Sequence, residues 1–191
     1  MLPIQKVLIE KGYRIFKRPF ELNIAGVRSA EKVANRFDDC IHVFFCDDNY
    51  KWICYSFLAT ADPGRYWLKN PLQAAGTAIL KPGQFYNCYA IGLHRGKYPA
   101  LVQRMPVTVI RDANRDNVLD FSTCKTATGL FGINIHRAAA NGVSKMVDKY
   151  SAGCQVIASS ADFGLLMRLA ERHRKLYGNV FSYTLIEEFA R

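Results

Sequence analysis

Two segments in the last third of the chain carry residues suited to covalent chemistry. Gly132-Ile-Asn-Ile-His136 ends a short apolar run on a histidine, and Ser151-Ala-Gly-Cys154-Gln-Val-Ile places a cysteine just after a turn of small residues. A thiolate is a strong nucleophile. A neighbouring imidazole takes its proton and later hands that proton to the leaving group. Gly153 lets the backbone turn sharply before Cys154, with Ser151 and Ala152 in the same turn, and such a turn can leave main-chain N–H groups to hold an oxyanion. The chemistry this suggests is acyl transfer through a thioester, which calls for no cofactor and no metal. Cys154 also opens the apolar run Cys-Gln-Val-Ile-Ala, as a buried strand residue would.

Other candidates are fewer. His94 and Arg95 lie between glycines in Gly92-Leu-His94-Arg95-Gly96, a loop after a strand, where the pair suits a carboxylate. His42 and His173 fall on apolar faces and read as core or interface residues. Cys40, His42 and Cys46 alternate to one face of a strand, whereas zinc sites pair ligands across tight turns, so zinc is rejected. None of the six cysteines forms a CxxC pair, and a disulfide scaffold is a poor fit. Segment 112–120 has oxygen side chains spaced like the start of a calcium loop, but Asn117 stands where a glycine belongs and Thr123 where a bidentate glutamate belongs. A polar turn between strands at 107–110 and 118–121 accounts for the same residues.

The two segments together resemble the L,D-transpeptidase (YkuD-like) family, which forms or cuts peptide bonds in peptidoglycan stem peptides. That family carries Ile-His-Gly and, after a variable gap, Ser-His-Gly-Cys. The counterparts here are Ile135-His136-Arg137 and Ser151-Ala152-Gly153-Cys154. The order, His before Cys, separates the chain from papain-like and NlpC-like peptidases. Upstream, Leu80-Lys-Pro82-Gly83-Gln-Phe85 is similar to the family's Thr-Pro-x-Gly-x-Phe. Arg137, Ala152 and Gln155-Val156 depart from the pattern, which bears on the substrate and on transfer versus hydrolysis.

The resemblance implies Cys154 as nucleophile and His136 as base, with Gly153, Ser151 and Ala152 shaping the oxyanion turn. His94, Arg95, Arg137 and Gln155 are the candidate substrate contacts, and bacterial peptidoglycan is the partner. With no export signal visible, the expectation leans to hydrolysis by a bacteriophage-encoded protein. Such a protein would be made in the cytoplasm and act on the wall after lysis, or as a virion component among other virion proteins. The competing expectation is a structural or wall-binding virion protein that keeps the fold without the activity.

These residues need a framework, and composition bounds it. The 191 residues are 50% apolar and 22% charged, which fits one globular domain over 1–191 and excludes a disordered chain. No apolar run nears the roughly 20 residues of a membrane span, so no membrane insertion is expected. The charge of +10 favours anionic partners. The basic residues are dispersed, however, so no specific nucleic acid is expected. Alternating apolar runs predict a hairpin from 40–46 and 51–58, further strands at 85–91, 107–110 and 118–121, and a closing strand at 180–186. Helices are expected at 29–36, capped by Ser29, and over Ser160–Tyr177, whose other face is basic. The fold class is therefore β-rich α+β, a mostly antiparallel L,D-transpeptidase-like sheet core with a few peripheral helices.

Overall fold

A computed structural model describes residues 1–122 and 125–188. In chain order the elements are α1 Pro3–Glu10, β1 Asn23–Arg28, β2 Asp39–Cys46, β3 Trp52–Thr60, α2 Arg65–Lys69, β4 Thr77–Leu80, β5 Gly83–His94, β6 Tyr98–Gln103, β7 Val107–Asp112, β8 Thr126–Gly129, β9 Ile135–Arg137, β10 Gln155–Ile157, α3 Ser160–Tyr177 and β11 Phe181–Glu187. The β-rich, mostly antiparallel class with few helices is as expected. No helix among the described residues is long and apolar enough to cross a membrane.

Period-two alternation explains the main sheet. In β2, Ile41, Val43 and Phe45 point into one core with Ile24, Phe57, Ala59, Leu101, Ile135, Ile157 and Leu185. The strands close into a barrel in the order β1-β11-β5-β6-β9-β10-β3-β2. Every neighbouring pair is antiparallel except β1 with β11 and β9 with β10. Helix α3 packs Phe163, Leu166 and Ala170 against the same core. Its N-cap is Ser159, whose Oγ accepts the Asp162 N–H at 3.2 Å. Gly26 leaves room for the buried Tyr183 ring, since a Cβ there would run into the Tyr183 hydroxyl.

A second sheet, β4-β7-β8, lies beside the barrel. Between the two, the buried Arg28 guanidinium pairs with Asp62 at 2.9 Å and donates to the Ala61 and Leu80 carbonyls. Asp39 stands beside this pair and accepts the Ser29 and Ala61 N–H groups.

Two expected elements do not form. Segment 29–36 is not a helix. Asp39 takes the Ser29 N–H, Asn35 adopts a left-handed φ of 78°, and Ala34 N–H and Lys32 O bond to Asn117 and Leu119 instead of to a helical turn. Nor is 118–121 a strand of the sheet: only Val118 forms a bridge, to Val33, and the hairpin partner of β7 is β8. The oxygens of 112–120 turn inward on their own loop. Asp112 accepts the Asp120 N–H, Asn114 that of Asp116, and Asp116 that of Val118, which suits a polar turn better than a cation cage. Thr123 lies outside the described residues.

Candidate active site

The two chemistry-bearing segments become neighbouring parallel strands. In the β9–β10 register Ile135 faces Gln155 and His136 faces Val156. Asn134 and Cys154 therefore meet where the strands begin. The Asn134 carbonyl accepts the Gln155 N–H at 2.9 Å, and the Asn134 N–H points at Cys154 Sγ at 3.5 Å. The thiol in turn lies 3.3 Å from the Gly132 carbonyl, to which it donates. Cys154 thus lies outside the main barrel core and packs against the small cluster of Phe37, Val147, Val156 and Ala158. Its sulfur sits half-buried among the backbone groups of 132–134.

His136 is buried, 3% exposed, and held in one tautomer. Its Nδ1 lies 2.7 Å from the Arg137 carbonyl and 3.2 Å from the Tyr98 hydroxyl. A carbonyl can only accept, so Nδ1 carries the proton and the lone pair is on Nε2. Nε2 has no hydrogen-bond partner although it is buried. Burial, aided by the neighbouring His94, pushes the imidazole pKa down to about 3. Burial also raises the Cys154 thiol, against the Asn134 N–H and the Arg95 cation, which favour the thiolate. At neutral pH Cys154 is therefore a thiol and His136 a neutral imidazole.

His94 proves to be more than a loop residue. It is the last residue of β5, buried, and its ring stacks on that of His136 with centroids 4.0 Å apart. Arg95 and Gly96 make the following turn with positive φ. Asn134 orients His94. Its Oδ1 accepts the Gln103 N–H at 2.9 Å, which leaves Nδ2 to donate to His94 Nδ1 at 3.0 Å. The proton of His94 is then on Nε2.

The turn before Cys154 is built by Ser151. This fully buried side chain donates to the Cys154 carbonyl at 2.8 Å and accepts the Gly153 N–H at 3.1 Å. Of the main-chain N–H groups expected to hold an oxyanion in this turn, that of Gly153 is therefore already taken by Ser151. Gly153 has φ +121°, and a Cβ there would strike the Ala78 carbonyl.

Gln155 also corrects an expectation. Its side chain is fully buried and bonds inward, donating to the Ala61 carbonyl and accepting from the Tyr183 hydroxyl at 2.7 Å, so it braces the barrel and does not face a substrate. Arg137 is half-buried. Its guanidinium lies over the Tyr98 ring at 4.4 Å and donates to the Ala140 carbonyl. Asn134 and Tyr98 do not stand out in the sequence. Their roles arise from pairings across distant strands, and only the closeness of Asn134 to His136 hints at one of them.

The remaining candidates lie elsewhere. His173 is a core residue whose Nδ1 accepts the Leu22 N–H. His42 sits on the flank of β2, bonded to Ser56 at 2.8 Å, with Cys40 3.9 Å away.

Comparison with known proteins adds no relative to this geometry. No protein-family model matches the chain, and neither a curated protein nor a solved structure matches it.

Proposed function

We propose that the protein is a cysteine-dependent acyl-transfer enzyme acting on peptide bonds of peptidoglycan stem peptides, with an L,D-transpeptidase-like barrel. The observation that carries this reading is the locked His136 tautomer. Its Nδ1–H is spent on the Arg137 carbonyl, and its unpartnered Nε2 lies on the strand beside the one that Cys154 opens. A buried, desolvated nitrogen with no hydrogen bond costs stability and is typical of a reacting group.

In this mechanism His136 Nε2 takes the Cys154 proton as Sγ attacks the scissile carbonyl. The C–S bond forms as the carbonyl π electrons move to oxygen, and the Cys154 N–H meets that oxyanion. Collapse expels the amine, which receives the proton from His136 and leaves a thioester. Water or the amine of a second stem then attacks the thioester, His136 takes its proton, and the thiol is restored. Water gives a peptidase and an amine gives a transpeptidase. Arg95 and Arg137, near the thiol and on Tyr98, suit a carboxylate-bearing stem. Ala152 lines a small pocket with Trp67, Ala78 and Phe131, which leaves space beside the turn.

The raised thiol and the occupied Gly153 N–H favour a second reading, a structural or wall-binding protein that keeps this fold without turnover. Digestion of purified peptidoglycan by the native protein and by Cys154→Ala separates the two. Soluble fragments released by the native protein alone support the enzyme, and their masses distinguish hydrolysis from transfer. No fragments from walls of several stem chemistries would support the second reading.

A further inference from the structure

We infer that His94 is a positioning residue that sets the acid limit of Cys154 chemistry, because its ring and that of His136 form a stack able to hold only one proton. The inference rests on the acyl-transfer reading for its consequence but not for its physical content. With centroids 4.0 Å apart and planes 25° from parallel, a second positive charge would be placed face to face with the first in a buried setting. The stack is fixed at both ends. The Arg137 carbonyl holds the Nδ1–H of His136, and the Asn134 amide, itself held by the Gln103 N–H, holds Nδ1 of His94. Neither ring can turn away without breaking a bond.

Among the described residues, the surroundings of His94 add no negative charge to relieve the pair. Its own hairpin supplies Arg95, β6 supplies Tyr98 at 5.5 Å between rings, and β9 supplies His136 and Arg137. The loop before β9 supplies the neutral Asn134, and the β10 side supplies the thiol of Cys154. Phe163 of α3 closes the far side of Tyr98. A proton taken up by His94 on acidification therefore weighs directly on His136, which must itself become cationic when it accepts the Cys154 proton. One proton on His94 is enough to weaken the base.

The test is a titration of the histidine Cε1–H signals by NMR in the full chain, native and with His94→Gln or His94→Phe. Glutamine keeps an acceptor for Asn134, and phenylalanine keeps the stack, but neither can be charged. Unchanged signals from His42 and His173 report an intact fold. The expected result is a His136 midpoint raised by about one pH unit in both variants, with the His94 midpoint in His136→Gln little changed, because native His94 takes its proton while His136 is still neutral. A His136 midpoint that stays put in either folded variant overturns the inference.

Alkylation of Cys154 by iodoacetamide against pH reads the consequence. Between the native midpoints of His94 and His136, where native His94 is charged and His136 still neutral, His94→Phe should react up to about tenfold faster than the native protein, following a shift of one unit. If His136→Gln leaves the alkylation rate unchanged at every pH, the acyl-transfer reading fails. The NMR midpoints still decide the role of His94.

Discussion

Ser151 donates its hydroxyl proton to the carbonyl of Cys154 at 2.8 Å, so the residue three positions before the thiol holds the thiol's own peptide unit. The same oxygen accepts the Gly153 N–H. One buried hydroxyl thus closes the turn from both sides. Ser151→Ala should cost about 1–3 kcal/mol of stability, because a buried N–H loses its partner. On the acyl-transfer proposal it should also slow peptidoglycan cleavage more than it weakens binding. Denaturant unfolding together with the kcat and KM of the variant checks both expectations.

Gly153 cannot be replaced without moving the turn. Its φ of +121° is strained for any side chain, and the Ala78 carbonyl occupies the position a Cβ would take. Gly153→Ala should destabilise the protein by upwards of about 3 kcal/mol. Gly132→Ala is the control. Gly132 also has positive φ, but a Cβ added there would meet nothing within 4 Å, so its cost should stay near about 1–2 kcal/mol. Equal losses from the two substitutions would contradict this account.

Tyr98 and the Arg137 carbonyl both meet Nδ1 of His136, the carbonyl at the shorter distance. Tyr98→Phe keeps the ring against Phe163 and removes only the hydroxyl. The tautomer should persist through the carbonyl, and turnover should fall only about two- to fivefold, in line with the loss of a secondary hydrogen bond. The imidazole 15N shifts would show a change of tautomer directly, and finding one would mean that the hydroxyl is the dominant partner.

Two buried groups give the stability curve opposite slopes. The folded protein holds His136 at about 3 against an ordinary value of 6.5. Between those values the unfolded chain binds the extra proton, and stability rises with pH. Asp39 is pushed up to about 7 from 3.8, chiefly by burial and also by the neighbouring Asp62. Between those values the folded chain binds the extra proton, and stability falls as pH rises. The windows overlap, so the native melting temperature should change little from about pH 4 to 6.5. Asp39→Asn should expose a rise with pH, and His136→Gln should expose a fall. Melting curves of the three proteins across that range settle the matter, and parallel curves would sink the prediction.

The architecture is largely legible where local pattern and tertiary demand agree. The β2–β3 hairpin is marked by alternating aliphatic and aromatic residues around Asp47-Asp48-Asn49, and the Asp47 carboxylate indeed accepts the Asn49 and Lys51 N–H groups. The spacing of Phe163, Leu166, Ala170 and His173 announces α3, and the structure buries those four. Segment 29–36 has a helical look because Ser29 and Glu31 supply a suitable start. The competing bonds come from Asp39, Asn117 and Leu119, none of which is local. The site divides in the same way. His136 and Cys154 stand out by residue type and context, whereas Asn134, Tyr98 and the inward turn of Gln155 depend on strands far away in sequence.

The barrel closes through β1 against β11, strands at opposite ends of the described chain. Barrel closure is therefore a long-range event, with a large loop entropy to overcome before its contacts repay it. β5 also depends on β11, since it takes its second neighbour there. Until β11 docks, β1 and β5 each present an open edge, and the hairpin that carries His94 is held on one side only. The hairpin that stacks His94 on His136 thus gains its second neighbour only after the last described strand has been made, which places the stack among the contacts secured late.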